Sequence, residues 1–352
     1  MPIVPAPGST ITRCILRILA ATPLVTLIVL VCAACGSSQR ASRPGPTCNG
    51  SPALCSRPLN DVIFPGTHNS FAASTEPGWY FANQTYPIAR QLKDGIRAFL
   101  IDIHFGVYDP ATGRVRTDLT AEGSDRNKVA QQLPASALRI ADQVAGGIGL
   151  GTLKGKPEPY LCHTLCELGA EPLDRELDVV ATFLREHPDQ VLVVIVEDYV
   201  PPSTIEQAFD AAHLTRYVAT LKLNRPLPTL GDLIESGHRL LVFAEVKGGS
   251  PSWYMPAFSF MQDTPLGALH PGQLSCSRYR GAADSPMLLL NHWIPPFPPS
   301  PTINAQIGRA FFLRARIEQC TAERHTSGAI VPVDFYQRTA VVKVAQELNS
   351  RR

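Results

Sequence analysis

From residue 59 onward, short and mostly near-continuous apolar runs alternate with segments whose apolar positions recur every three or four residues. The runs at 61–64, 97–103, 158–162, 191–197, 239–245, 287–291 and 329–334 have strand length and are mostly Val, Ile and Leu. Continuous rather than alternating hydrophobicity is the pattern of parallel strands covered on both faces. Between the runs, 172–187 puts Leu173, Leu177, Val180 and Leu184 on one helical stripe and ends at His187-Pro188. The segment 229–236 opens on Thr229 as an N-cap and stops at Gly237, and two more helices are expected at 303–320 and 339–348. This alternation predicts an α/β fold of the TIM-type (β/α) barrel class, regular or distorted and incomplete, with its chemistry at the C-terminal strand ends. A doubly wound open sheet is the competing architecture, but no glycine-rich phosphate loop follows the first strand.

One connection departs from the rhythm. Residues 105–157 form a long insertion with an expected helix near 135–144 and the glycine-rich stretch GGIGLG after it. An insertion of this size shapes a pocket or lid, or simply decorates the surface.

The N-terminal 35 residues read differently from the rest. Arg13 and Arg17 precede an uncharged apolar segment that ends in Ala33-Ala34-Cys35, the make-up of an export signal. Cys35 after two alanines is a candidate lipidation site; plain cleavage and a retained membrane anchor are the competing readings. Residues 36–57 are rich in Ser, Pro and Gly and read as a tether, leaving 58–352 as the folded domain. Beyond Cys35 the chain keeps six cysteines, an even number that suits disulfides in an oxidising compartment. Pairing 48–55, 162–166 and 276–320 is expected; zinc is disfavoured because no second cysteine pair stands at finger spacing. The net charge of +2 over 352 residues, 18% of them charged, gives no strong field for a nucleic acid or other polyanion.

Polar residues cluster at the strand ends. They are His68-Asn69, Asp102-Ile103-His104, His163, Glu197-Asp198, Glu245-Val246-Lys247, Asn291-His292-Trp293 and Asp334-Phe335-Tyr336. A lone polar strand end is ordinary, but seven meeting at one barrel rim are candidates for chemistry. No Gly-x-Ser-x-Gly elbow supplies a nucleophile. Two histidines suit a reaction that removes a proton from one oxygen and returns one to another. Asn69, Asp102 and Glu197 are hard oxygen donors of the kind Ca²⁺ takes.

The stretches FPGTHNS (64–70), QLKDGIRAFLIDIH (91–104), YLCHTLCELGAEPL (160–173), VLVVIVEDY (191–199), PTLGDLIESGHRLLVFAE (228–245) and IVPVDFY (330–336) resemble the phosphatidylinositol-specific phospholipase C family, in its X-domain-like, secreted bacterial branch. The resemblance implies that His68 is the general base on the inositol 2-hydroxyl and His163 the general acid for the departing diacylglycerol. It implies that Asp334 orients His68, and that the products are diacylglycerol and a cyclic inositol phosphate. The calcium-using branch carries Glu-x-Asp on the second strand, where this chain reads Leu100-Ile101-Asp102, so three of four metal ligands remain: Asn69, Asp102 and Glu197. The metal-free branch carries Asp-x-Arg there, where this chain would read Asp102-Ile103-His104.

Substrate recognition transfers less well. Lys247 is a candidate contact to phosphate or an inositol hydroxyl, and Trp253-Tyr254 with the proline-rich 294–301 are candidate contacts to a membrane interface or ordinary loop packing. Asn83-Gln84-Thr85 has the pattern of a glycosylation sequon. The expected partner is a phospholipid at a membrane surface. The competing readings keep the chemistry for another head group, or make the barrel a catalytically silent binder of lipid or glycan.

Overall fold

Parallel pairing of the apolar runs is the dominant feature of the computed structural model, which describes residues 47–118 and 155–351. The strands are β1 (Ile63–Thr67), β2 (Ala98–Asp109), β3 (Arg114–Thr117), β4 (Glu158–Leu161), β5 (Glu171–Pro172), β6 (Leu192–Asp198), β7 (Leu240–Ala244), β8 (Tyr254–Pro256), β9 (Met261–Asp263), β10 (Met287–Leu289) and β11 (Ala329–Val333). Eight of them form one sheet in the order β8-β7-β6-β2-β1-β11-β10-β9. Every neighbouring pair along that path is parallel. The two end strands do not pair with each other, so this is an α/β barrel with one open seam.

Helices among the described residues are α1 (Ile88–Lys93), α2 (Leu173–Glu186), α3 (Pro202–Ala211), α4 (Leu230–Glu235), α5 (Ala257–Phe260), α6 (Pro301–Ile307), α7 (Ala310–Glu323) and α8 (Val341–Ser350). Thr229 caps α4 in a capping box with Asp232, as the sequence suggested. The helix expected at 303–320 is two helices: the chain breaks at Gly308, where any Cβ would lie 2.5 Å from Thr339 Cγ2.

The strand at 158–162 also differs from expectation. β4 runs antiparallel to the far half of β2, which continues well past the barrel rim and pairs there with β3 as well. The start of the insertion 105–157 is therefore an extension of β2 and a hairpin; the helix expected near 135–144 lies outside the described residues, as do the export signal and Cys35. The end of the expected tether is packed rather than loose. Cys48 bonds to Cys55, Asn49 exchanges hydrogen bonds with Val191, and Leu54 is buried. The pairs Cys162–Cys166 and Cys276–Cys320 also form.

Alternation along the strands divides the core into two layers. Ile63, Phe99, Ile101, Ile103, Val194, Val196, Val242 and Val331 belong to the cluster that includes α2, α3, α7 and α8. Their neighbours Phe64, Ala98, Leu100, Val193, Ile195, Leu241, Phe243, Leu289 and Ile330 fill the barrel interior. Burial on both faces explains why the runs are continuously apolar. Gly66 lies where β1 is squeezed between its neighbours: a Cβ there would meet Ala98 Cβ at 3.1 Å and Pro332 Cα at 3.3 Å.

The seam is closed without a strand ladder. One helical turn, α5, carries the chain from β8 to β9. The loop residues Tyr279–Gly281 then lie along β9, with Asp263 N–H donating to Arg280 O and Tyr279 N–H to Asp263 O. Gly281 is required, since a Cβ there would sit 2.1 Å from Met261 O and φ is +80°. The Arg280 guanidinium donates to Glu245 Oε2 at 2.7 Å and to Asp263 Oδ2 at 2.7 and 2.9 Å. It therefore ties the end of β7 to the end of β9 across the gap.

Two stability predictions follow from buried charge. Glu176 on α2 is 7% exposed, its Oε2 has no hydrogen-bond partner, and it lines an apolar cavity with Phe99, Leu177 and Phe209. Burial, with Glu171 adding to it, pushes its carboxyl from 4.5 up to about 7. The folded chain thus keeps a proton that the unfolded chain loses, so stability is full below pH 4.5 and declines as pH rises towards 7. The decline is on the order of 3 kcal/mol at 1.36 kcal/mol per pH unit. Urea titrations of Glu176→Gln across that window are expected to give a flatter curve, with the variant the more stable protein above pH 7. Removing the seam arginine, Arg280→Leu, leaves two carboxylates unpaired and is expected to destabilise by roughly 3 kcal/mol at neutral pH. Calorimetry would show the deficit shrinking in acid, where Glu245, already raised by burial, takes up a proton.

Candidate active site

The same alternation that builds the interior carries polar side chains up to its rim. Phe64, Gly66 and His68 form one series, and Ala98, Leu100 and Asp102 another. Val193, Ile195 and Glu197 follow, as do Leu241, Phe243 and Glu245, Leu289, Asn291 and Trp293, and Ile330, Pro332 and Asp334. In each series the lower members are interior core and the upper one or two are polar or aromatic. The upper members of most of these series, with Arg280, line an open cleft: His68, Asp102, Glu197, Glu245, Arg280, Asn291 and Trp293, with Leu100, Ile101, Ile195 and Leu266 as its apolar part.

Two histidine–carboxylate pairs face each other there. His68 Nδ1 lies 2.9 Å from Asp334 Oδ1, and His163 Nδ1 lies 2.8 Å from Asp102 Oδ2. The imidazole centres are 6.4 Å apart and nearly perpendicular. With each Nδ1 engaged, each ring keeps Nε2 for another partner. The His68 side chain is 16% exposed and that of His163 47%. Burial would push His163 down, but the Asp102 hydrogen bond and charge, with Glu197 and Asp334 beyond, outweigh it and hold the imidazole above its ordinary value. With nearly half the side chain in solvent, the Asp102 pairing is the stronger influence. Cys162 and Cys166 bracket His163 with a disulfide, so the loop that carries it is stapled at both ends.

Behind His68 is a polar scaffold that sequence reasoning missed. Asn83 Nδ2 donates to Asp334 Oδ2 at 3.0 Å, and Asn69 Nδ2 donates to Asn83 Oδ1 at 3.0 Å. Gln84 Nε2 donates to His68 O and Val333 O, stitching the ends of β1 and β11 together. The Asn83 sequon is therefore a buried supporting residue, 6% exposed, and its amide is committed within the fold. Asn69 adopts φ 42°, a left-handed conformation that Asn tolerates better than most residues.

The oxygen donors of the second expected set stand close to these pairs. Asp102 and Glu197 are opposite one another in the β2–β6 register. Burial, then the charges of Asp102 and Glu245, pushes Glu197 up to about 7, while Tyr199 donates its hydroxyl to it. Asn69 Oδ1 is buried with no hydrogen-bond partner, an orphaned acceptor of the kind a cation satisfies, although Asn69 itself is not among the residues lining the cleft. Leu100 occupies the missing acidic position and lines the cleft. Among the described residues no three His, Cys, Asp or Glu side chains alone could hold a metal, so a cation here depends on the Asn69 amide as well.

Other strand-end residues point elsewhere. His292 belongs to the opposite face: its Nε2 is 3.1 Å from Ile307 O, its Nδ1 3.1 Å from the Arg316 guanidinium, and burial pushes it down to about 3. His104 is buried against Tyr199 and pushed down to about 4. Asp198 receives the backbone N–H groups of Val246 and Lys247. Lys247 is not among the residues lining the cleft. Trp253 and Tyr254 are buried, and Phe297 of the proline-rich segment packs on Phe81, so loop packing describes these aromatics. Arg280, which lines the cleft from a loop, carried no sequence signal beyond the Gly281 that follows it.

Comparison with known proteins adds the family. The profile described as PI-PLC X 1 matches residues 118–349. A PI-PLC X domain-containing protein of Arthroderma benhamiae is 27% identical over 210 residues, which cover 54% of this chain and 68% of that one. A PI-PLC X domain-containing protein of Arabidopsis thaliana is 24% identical over 234 residues, covering 60% of this chain and 43% of its relative. The phosphatidylinositol-specific phospholipase C of Listeria monocytogenes superposes with a TM-score of 0.47 at 13% identity, over 84% of this chain and 97% of that one. These sequence relatives are fungal and plant proteins, so they leave the secreted bacterial branch as an expectation. With two thirds of its length matched by the profile, the chain belongs to the PI-PLC X family.

Proposed function

We propose that the chain is an exported phosphodiesterase that cleaves phosphatidylinositol or a related phospholipid at a membrane surface, giving diacylglycerol and a cyclic inositol phosphate. The observation that carries this reading is the pair of carboxylate-anchored imidazoles, 6.4 Å apart beside one cleft. His68, its Nδ1 engaged by Asp334, is the base that takes the proton from the head-group hydroxyl. That oxygen bonds to its own phosphorus, and the bond from phosphorus to the diacylglycerol oxygen breaks. His163, whose pairing with Asp102 favours the protonated ring, returns a proton to the departing oxygen. Water can then open the cyclic product with the two histidines exchanging roles. Glu245, Arg280 and Asn291 line the part of the cleft available to the head group.

A hard cation, Ca²⁺, is part of the proposal, held by Asn69, Asp102 and Glu197. When bound, it supplies positive charge against the phosphoryl oxygens. Ca²⁺ takes six to eight oxygens, so three protein donors leave much of the shell to water and substrate, and affinity of roughly millimolar order is expected. Export accords with the three disulfides, and Cys35 is the proposed lipid anchor.

The test is phosphorus NMR of products from phosphatidylinositol vesicles, with added Ca²⁺ or chelator. Cyclic inositol phosphate is expected, with His68→Ala and His163→Ala each slowing its release roughly 10²–10⁴-fold. Chelation is expected to slow turnover, and Asn69→Ala to raise the Ca²⁺ required. Turnover indifferent to chelator removes the cation and leaves the histidine pair. Absence of turnover on any phosphodiester, with lipid binding intact, would make the protein a binding barrel.

A further inference from the structure

The Trp293 indole stacks on the His68 imidazole with ring centroids 4.0 Å apart and planes within 6° of parallel. One hydrogen bond, from Nδ1 to Asp334, fixes a point on the His68 ring but leaves it free to pivot about that bond. A flat face laid against the ring removes the pivot.

The face itself is rigidly mounted. Beyond the end of β10 the chain stays bonded to β11, with Leu290 N–H donating to Ile330 O and His292 N–H to Pro332 O. On the other side, Ile294 N–H donates to Asn304 Oδ1, and Asn304 Nδ2 donates back to Ile294 O, each at 3.0 Å. Asn304 is 1% exposed and Trp293 7%, so the indole is held by buried backbone on both flanks.

We infer that Trp293 is a positioning residue for His68, fixing the plane of its imidazole so that Nε2 points into the cleft, and presenting a π face to the charge the ring gains when it takes a proton. This deepens the proposed reaction and rests on it for the role of His68. Asp334 sets where the ring sits and Trp293 sets how it is turned, and both are needed because proton abstraction demands a direction as well as a distance.

The experiment compares wild type, Trp293→Phe and Trp293→Leu in the full chain. The ring-proton resonances of His68 are read by ¹H–¹³C NMR, and kcat and KM are measured on monomeric short-chain phosphatidylinositol. A proton pair beneath an indole is shielded, so the Leu variant is expected to move the His68 resonances downfield. Its kcat is expected to fall roughly 10–100-fold with KM unchanged, the scale of a misaligned catalytic group. The Phe variant keeps a flat face and is expected to recover most of kcat. Unmoved His68 resonances, a loss confined to KM, or a Phe variant as slow as Leu would each overturn the inference. If the Leu variant does not fold, the Phe variant decides alone: its smaller ring current must shift the His68 resonances partway, and unmoved resonances overturn the inference. A wild type that turns over no phosphodiester defeats the proposed function, while unmoved resonances would still, independently, overturn the stacking on which the inference rests.

Discussion

The two-residue period of the barrel strands is the constraint on which the rest depends. It places Asp102 above Leu100 and Ala98, and Glu197 above Ile195 and Val193, all on the interior face. The β2–β6 ladder holds Asp102 opposite Glu197 through six paired positions. A slip of one residue would send these carboxylates into the apolar layer beneath α2 and α3, and put apolar neighbours such as Val196 in their place. Burying unpaired charge there costs several kcal/mol, so the packing of the core and the composition of the site enforce the same register.

Gathering acids on one interior face carries its own penalty, visible in the raised carboxyls of Glu197 and Glu245. The fold offsets it by pairing. Asp334 and Asp102 each take a histidine, and Glu245 and Asp263 share Arg280. Arg280 meets two needs at once, since it also ties the edge strand β9 to the end of β7, one strand in from the other side of the seam where backbone pairing stops. Electrostatics there takes the place of a ladder.

The fold was largely legible because its strands are covered on both faces and therefore read as continuous apolar runs. β8 and β9 escaped notice because three residues carry no periodicity, and the direction of β4 was hidden because pairing sense leaves no local mark. The site was legible as a set of strand ends but not as a set of faces. His292 and Asp198 stand one residue out of phase with Asn291 and Glu197, and that single step turns them away from the cleft. The pairing of Asp102 with His163 was not foreseen, because Asp102 read as a metal ligand and its partner lies 61 positions away. Asn83 and Arg280 act from loops, where spacing gives no rule. Asn83 instead carried the misleading pattern of a sequon.

The two histidines differ in depth, and the difference bears on the proposed division of labour. His68 is mostly covered, backed by a fully buried Asp334 and faced by Trp293, while nearly half of the His163 side chain is in solvent, on a disulfide-closed loop. A base must find a hydroxyl on a head group that enters the cleft, so it gains from a fixed position in a site that excludes water. An acid serving a leaving group that returns to the membrane belongs nearer the opening, where it can regain its proton from water. In the proposed reaction Asp102 then has a task distinct from that of Asp334: it favours the protonated form of an exposed ring, whereas Asp334 orients a mostly covered one.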